Sequence, residues 1–419
     1  MSRAASAQLK QYAVITGNYW AFTLTDGALR MLVVLYFHQL GYAPLAIASL
    51  FLFYEFFGVV TNLIGGWLGA RIGLNKTMNI GLFLQVIALF MLTVSADMLT
   101  VVYVMFAQAL SGIAKDLNKM SAKSSIKMLL PDDAQGRLFK WVAILTGSKN
   151  TLKGVGFFLG GLLLTTVGFQ GAMFSMALVL FIVWCASLAL LQADLGKSKS
   201  KAKFKDLLSK SRNLNLLSAA RLFLFASRDV WFVIALPVYL SQQFQWDHWW
   251  VGSLLAGWII AYGMVQAVTP KLLNSCIGKK ASISKPVEID NKRLACVWGT
   301  ILSITPLTII ALMSYSSFTL LSIVIGLMIF GVAFAINSSL HSYLIVSIAD
   351  RDAVSLDVGF YYMANAAGRL LGTVLSGMMF QLYGLESCLL ISSAFILLAV
   401  GFTSFMRLSP EPKPPLLQK

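Results

Sequence analysis

Among the basic side chains inside long apolar runs of this sequence, eight form the candidate set: Arg30, Lys115, Lys119, Lys149, Lys153, Arg221, Arg228 and Arg369. Five acidic ones share those runs: Asp26, Glu55, Asp116, Asp229 and Asp357. An ionisable group in an apolar medium is costly and marks function by default. The surplus of cations points to capture of an anion. A proton pump or an exporter of cations would lean toward carboxylates. Spacing concentrates the cations further. Lys115, Lys119, Lys123 and Lys127 recur every four residues, which makes one slowly drifting stripe on a helix. Lys149 and Lys153 are one turn apart, Asp357, Tyr361, Asn365 and Arg369 repeat that spacing, and Arg221 and Arg228 are two turns apart. Arginine supplies a planar fork for bidentate phosphate or carboxylate contacts, lysine a mobile point charge. The expected binding residues are therefore Lys115, Lys119, Lys149, Lys153, Arg30, Arg221, Arg228, Arg369 and Asn365, with the anion between a Lys-rich first half and an Arg-rich second half. Asp26, Glu55, Asp116 and Asp229 are the candidates for proton coupling, and no motif selects one of them.

Plainer readings compete at several positions. Asp26 and Arg30, at i,i+4, can neutralise each other locally. Arg228 and Asp229 are adjacent and point to different helix faces, so self-neutralisation is less natural there. The lysine stripe could lie beyond a helix ending near Ala114 and be an ordinary basic segment. Against that, 99–114 is only 16 residues, short of the ~20 a span needs. Glu55 is either a proton-linked carboxylate or is buried against a tyrosine. His341 fits a bundle residue better than a ligand, and His38 and His248 fit loops. The four cysteines, Cys185, Cys276, Cys296 and Cys388, are scattered and form no CxxC, which signals neither a redox pair nor a zinc site. No Ser-His-Asp set, P-loop, HExxH or metal carboxylate pair is present. No catalytic residue, metal or cofactor is expected, and ion or substrate gradients remain as the drivers.

The elements that must position these groups follow from composition. The chain has 419 residues, of which 58% are hydrophobic and 12% charged, and a mean hydropathy of +0.76. A soluble domain is about 25% charged. Apolar runs give twelve spans, at 12–37, 45–69, 77–96, 99–129, 138–166, 171–191, 214–241, 249–270, 294–314, 317–348, 354–382 and 386–406. They are read as helices, because lipid cannot satisfy free backbone groups and the short alternating segments of a membrane barrel are missing. The N-terminal MSRAASAQLKQ lacks a cleavable-signal pattern. Loops after the odd-numbered spans contain no Lys or Arg, whereas the even-numbered loops and both termini carry them. Both termini are thus expected in the cytoplasm. The termini, the 192–213 loop and the 271–293 loop together carry +13 of the net +16, so most of the basic balance reports orientation. The lysine-rich central loop could be a nucleic-acid or lipid patch. An orientation signal and linker accounts for it, and no nucleic acid partner is expected.

The two halves resemble each other weakly. Asp26 to Tyr36 and Asp229 to Tyr239 share one spacing. At an offset of 216, Lys149 falls on Asn365, Lys153 on Arg369, Gly156 on Gly372, Gly161 on Gly377 and Gly168 on Gly384. The layout is an N-terminal six-helix bundle (1–191), a basic linker (192–213), a C-terminal six-helix bundle (214–406) and a tail (407–419). Two such pseudo-symmetric six-helix halves are the arrangement of major facilitator transporters, so an all-α membrane protein of twelve helices is expected. GGWLGARIGLNK resembles that family's G-x-L-x-D-R-x-G-R-K loop through Arg71, Gly73 and Lys76. Ala70 replaces the acidic residue, which puts a gating ion pair there in doubt. GVGFFLGG is similar to the antiporter pattern G-P-x-x-G-G with Phe157 in place of proline. Close helix packing accounts for it equally well.

Longer stretches are more specific. GNYWAFTLTDGALRMLVVLYFHQLGY, FYEFFGVVTNLIGGWLGARIGLNKTMNIG, LSGIAKDLNKMSAKSSIK, WVAILTGSKNTLKGVGFFLGG and SRDVWFVIALPVYL resemble the ArsJ organoarsenical efflux permeases. The likeness runs from Gln11 to the last span and is weakest in the 271–293 loop and the tail. It implies a multi-pass protein of a bacterial inner membrane that is not an enzyme and works as a monomer among membrane lipid. It implies export of 1-arseno-3-phosphoglycerate, an anionic ester made when glyceraldehyde-3-phosphate dehydrogenase takes arsenate in place of phosphate. That dehydrogenase would be the functional partner, and arsenate resistance the result. An organophosphate/phosphate antiporter is the alternative, since it calls for the same cations.

Overall fold

The computed structural model describes residues 3–42, 50–131, 135–191, 195–197, 210–246, 248–278, 291–315 and 318–407. The side chains of His38, Glu55 and His248 lie outside the described residues, as do most of the central loop, 279–290 and the tail beyond Arg407. All regular structure among the described residues is helical. In chain order the helices are α1 (Arg3–Gln39), α2 (Leu52–Ile72), α3 (Leu74–Met91), α4 (Val101–Leu129), α5 (Gln135–Leu190) and α6 (Arg212–Phe232). They continue with α7 (Ala235–Phe244), α8 (His248–Gly278), α9 (Asn291–Tyr315), α10 (Thr319–Ile348) and α11 (Val354–Ser404).

Eight helical stretches are long and apolar enough to cross a membrane. Two of them are double. α5 kinks at Gly168 (φ 72°, ψ 179°) and α11 at Gly384 (φ 77°, ψ −174°). A Cβ penalises that positive φ, so each glycine turns one long helix into two spans. α6 and α7 merge into a single apolar stretch, Arg212–Phe244. Counted this way, with α2 and α4 included, the described helices accommodate the twelve expected spans. Phe106, Phe158, Leu162, Ile182 and Val374 are exposed on the outside, the apolar jacket that lipid would cover.

The repeat at offset 216 is physical. Gly168 and Gly384 adopt the same backbone conformation. Gly156 and Gly372 do the same work: a Cβ on Gly156 would stand 2.8 Å from Leu24 O, and one on Gly372 2.7 Å from Ala226 O. These absent side chains let α5 press on α1 and α11 on α6, and this packing accounts for the GVGFFLGG segment.

α4 runs unbroken from a Thr100 cap to Leu129. The lysine stripe is therefore helical to its end and does not lie beyond a stop near Ala114. Lys123 and Lys127 are buried, because the halves close on each other over the face that carries both chain ends. There Lys127 Nζ donates to Ser347 O (2.8 Å), Arg351 to Leu130 O (2.7 Å) and Lys123 Nζ to the Tyr362 hydroxyl. Phe139 and Tyr343 meet ring to ring at 4.9 Å. Ala70 packs with Leu356, an apolar contact in place of the family's acid. Next to it, Asp357 pairs with Lys210 at 3.2 Å. Asp357 thus belongs to this closed face.

Candidate anion-binding site

The first half supplies its cations from three helices. On α5, Lys149 and Lys153 have no hydrogen bond and no carboxylate within 4 Å among the described residues. Lys153 Nζ lies 5.9 Å from the Phe157 ring centroid, a loose contact. On α1, Asp26 is buried and accepts a 2.6 Å hydrogen bond from Tyr54 of α2. The Tyr54 ring then carries two cations. Arg30 Cζ sits 3.9 Å and Lys115 Nζ 3.8 Å from its centroid, distances that leave no room for both on one face. The ring's negative faces attract cations, so Tyr54 holds Arg30 and Lys115 apart. Asp116 on α4 is buried between Lys119 (2.5 Å) and Lys115 (3.8 Å).

The second half is built differently. Arg228 and Arg369 both grip Asp229, which is 1% exposed. Arg228 reaches Oδ1 at 2.5 Å through Nη2 and 2.6 Å through Nε. Arg369 Nε reaches Oδ2 from α11 at 3.4 Å. The sequence argument held pairing of the adjacent Arg228 and Asp229 to be less natural, and here the structure differs. Adjacent Cβ atoms do diverge on a helix, but the long arginine side chain folds back across one turn. The guanidinium of Arg228 also lies 4.9 Å from the Phe225 ring centroid, which supports that return.

The two sets converge between the halves. Lys149 lies within electrostatic reach of Lys119, Lys115 and Arg369, with Asp26 as the acid. Lys153 lies within reach of Arg30, Arg369 and Asp26. These groups are accessible to different degrees: the Arg369 side chain is 31% exposed, Lys115 13% and Lys119 12%. One turn deeper the stripe is sealed, with Lys123 3% exposed. Accessibility to the cluster, hereafter the crevice, therefore falls toward the face bearing the chain ends. Arg221 stands apart from Arg228, two helical turns along α6 toward the sealed end. It is 2% exposed and donates to Ser338 Oγ at 3.1 Å and Ser338 O at 3.3 Å. Asn365 is buried, and its Nδ2 has no acceptor among the described residues.

Of the four proton-coupling candidates, Asp26 is held by a tyrosine, Asp116 by two lysines and Asp229 by two arginines. Glu55 sits on α2 with its side chain outside the described residues. His341 is a buried bundle residue 3.5 Å from Thr403 Oγ1. Among the described residues no three metal-ligating side chains cluster. The site also holds Tyr54 and Tyr362, which were not singled out from the sequence, and Tyr361, which was noted there only for its four-residue spacing. Lys119 and Lys123 lie 4.7 and 4.8 Å from the Tyr362 centroid, and Arg221 5.2 Å from that of Tyr361. A helix-spaced match between aromatics and intramembrane cations was the available signal.

The family model of the Major Facilitator Superfamily matches residues 15–284 and 288–419. No curated protein matches the sequence. Solved structures match closely in shape. The human organic anion transporter TETRAN aligns with a TM-score of 0.72 at 15% identity, over 96% of this chain and all of that one. The Escherichia coli fucose:proton symporter FucP gives 0.72 at 12% identity, over 96% and 100%. A bacterial homologue of the iron transporter ferroportin, in an outward-facing state, gives 0.69 at 12%, over 96% and 99%. At these identities the likeness is one of fold.

Proposed function

Starting from a chain that belongs to the major facilitator superfamily of membrane transporters, we propose that it exports a small organic polyanion, 1-arseno-3-phosphoglycerate, by alternating access. The observation that carries the anionic part is the pair Lys149 and Lys153, cations with no carboxylate within 4 Å among the described residues, which lie within electrostatic reach of Arg30, Lys115, Lys119 and Arg369. Cations brought together in a low-dielectric crevice repel one another, and an anion relieves that repulsion. A chain with a phosphate at one end and an arsenate ester at the other offers one charge cluster to the lysines and one to the arginine forks. The named substrate comes from the resemblance to the ArsJ permeases.

In this reading the substrate enters from the cytoplasm, the side of the basic loops and both termini. The halves rock about it, and the site then opens to the outside. Asp26, Asp116, Asp229 or Glu55 would carry the proton that drives the cycle. Glyceraldehyde-3-phosphate dehydrogenase would supply the substrate without binding the transporter.

Inside-out vesicles supplied with arsenate, glyceraldehyde-3-phosphate, NAD and the dehydrogenase test this directly. Arsenic should accumulate inside only when all four are present, and faster with an imposed proton gradient. Accumulation of arsenate without the dehydrogenase would overturn the assigned substrate. Exchange of glyceraldehyde-3-phosphate for internal phosphate would support the organophosphate antiporter instead, which the same cations favour equally.

A further inference from the structure

The central cluster does not use all the buried cationic chemistry. Below it, toward the sealed face, Lys123 of α4 and Arg221 of α6 come from opposite halves and lie within each other's electrostatic reach. Neither has a carboxylate within 4 Å among the described residues. Charged side chains are almost never this buried unless paired, and two unpaired like charges are costlier still. Their hydrogen bonding is incomplete as well. Arg221 Nε and the Tyr361 hydroxyl are buried without an acceptor among the described residues, and so is Asn365 Nδ2 one turn above Tyr361. Ser338 Oγ faces Arg221 Nη1 at 3.1 Å, and the Tyr362 hydroxyl meets Lys123. Tyr361 and Tyr362 stand edge to face at 5.1 Å and tie the two cations into one cluster. The group is rich in donors and poor in acceptors. Its natural complement is a ligand made only of acceptors.

We propose that Lys123, Arg221, Ser338 and Tyr361 form a second anion station, distinct from the central cluster, for a compact tetrahedral oxyanion of the phosphate class. Compactness follows from place, because here the halves touch and the side chains are closed off from solvent. Tetrahedral oxyanion follows from the donor set: a guanidinium fork from one half, an ammonium from the other and hydroxyls between them. Two stripes lead to it from the crevice, Lys115–Lys119–Lys123 on α4 and Arg369–Asn365–Tyr361 on α11. An anion leaving the central cluster would pass from one cation to the next along them. An anion at this station also joins the halves across the sealed face and favours the closed arrangement seen there. The proposal rests on the reading that this chain carries anions.

The test is binding to the full-length protein in lipid nanodiscs, with radiolabelled inorganic phosphate and 3-phosphoglycerate as separate probes. The variants are Lys123→Met and Arg221→Met, against Lys149→Met. Loss of one charge-assisted hydrogen bond weakens binding roughly tenfold to a hundredfold. Phosphate affinity should fall by about that factor in both deep variants, with the smaller loss for 3-phosphoglycerate. Lys149→Met should show the opposite order. Phosphate binding indifferent to both deep variants would overturn the station, as would equal losses of both probes in all three variants, which describe a single site. If the wild-type protein binds neither probe, the anion-carrying reading falls and the station with it. Failure to fold is separable. Arg221→Lys and Lys123→Arg keep the charge and should keep phosphate binding, and the methionine variants should melt no lower than the wild type because they remove an uncompensated buried cation. Methionine variants that melt far below it and lose both probes would mark the two residues as structural and sink the proposal.

Discussion

The two halves meet the crevice with cations held in opposite ways. In the first half, Lys149 and Lys153 have no carboxylate within 4 Å among the described residues, while Arg30 and Lys115 lie against the Tyr54 ring and Asp116 draws in Lys119 and, more loosely, Lys115. In the second half, Arg228 and Arg369 are already closed on Asp229. A ring face holds a cation by about 0.5–2 kcal/mol, and a buried carboxylate holds it far more firmly. The α5 lysines, Lys149 and Lys153, are thus ready to take an anion, whereas the arginine side must first give one up. A pseudo-symmetric scaffold has been given asymmetric electrostatics: a receptor facing a clamp. Binding would begin on the lysines and be completed when the arginines exchange Asp229 for the ligand.

The sharpest way to break this contrast is to remove a receptor lysine. Lys149→Met deletes a cation that has no hydrogen bond or carboxylate partner among the described residues, so the fold should be unaffected and the loss should fall on binding. One charge-assisted contact is worth about 1.5–3 kcal/mol, which predicts a roughly tenfold to hundredfold fall in transport at subsaturating substrate. Arsenate resistance with the dehydrogenase co-expressed should fail at normal protein level. Full resistance would remove Lys149 from the site and leave the lysine side without its receptor.

Asp229→Asn tests the other side and should move in the opposite direction. The deleted carboxylate is the buried member, while the arginines it holds are partly exposed to the crevice and remain hydrated. The destabilisation should therefore be below the ~3–5 kcal/mol typical of breaking a fully buried pair. Freed guanidiniums should bind the anion more tightly, lowering the apparent KM about fivefold, and release it more slowly, lowering kcat by a similar factor, because binding that is stronger in the ground state does not speed the step that follows. A raised KM in vesicle uptake would show that Asp229 organises the arginines and does not compete with the ligand.

The legible parts of this molecule were those written in a short period. Apolar runs marked the spans, and the four-residue recurrence of Lys115 to Lys127 marked a helical stripe that the structure continues to Leu129. The fixed offset that overlaid Gly168 on Gly384 and Gly156 on Gly372 picked out the equivalent kinks and helix contacts of the two halves. What stayed hidden depended on side-chain reach and on depth. The Arg228–Asp229 pair was misjudged because Cβ direction says little about where four further bonds of an arginine end. The cation contacts of Tyr54, Tyr361 and Tyr362 stayed hidden because an aromatic residue in an apolar run reads the same whether it faces lipid, core or a cation. The separation of Arg221 from Arg228 required the register of α6 against α10 and α11, which no local pattern carries.

Tyr54 permits the finest discrimination between receptor and clamp, and the smallest expected effect. Its ring and its hydroxyl do different things: the ring separates Arg30 from Lys115, and the hydroxyl donates to Asp26. Tyr54→Leu removes both functions and Tyr54→Phe only the second. If the ring pre-positions the receptor cations, Leu should raise the KM for uptake about fivefold, near the 1 kcal/mol of a single cation–π contact, while Phe changes it by about twofold or less. Equal effects of the two variants would shift the function from the ring to the Asp26 hydrogen bond, and make that carboxylate, rather than the aromatic platform, the element that holds the first half ready. The same pair of variants should leave the second half alone: if receptor and clamp act independently, their effects in the Asp229→Asn background should simply add, within about 0.5 kcal/mol. A departure from additivity larger than that would mean the receptor and the clamp respond to each other before any ligand arrives.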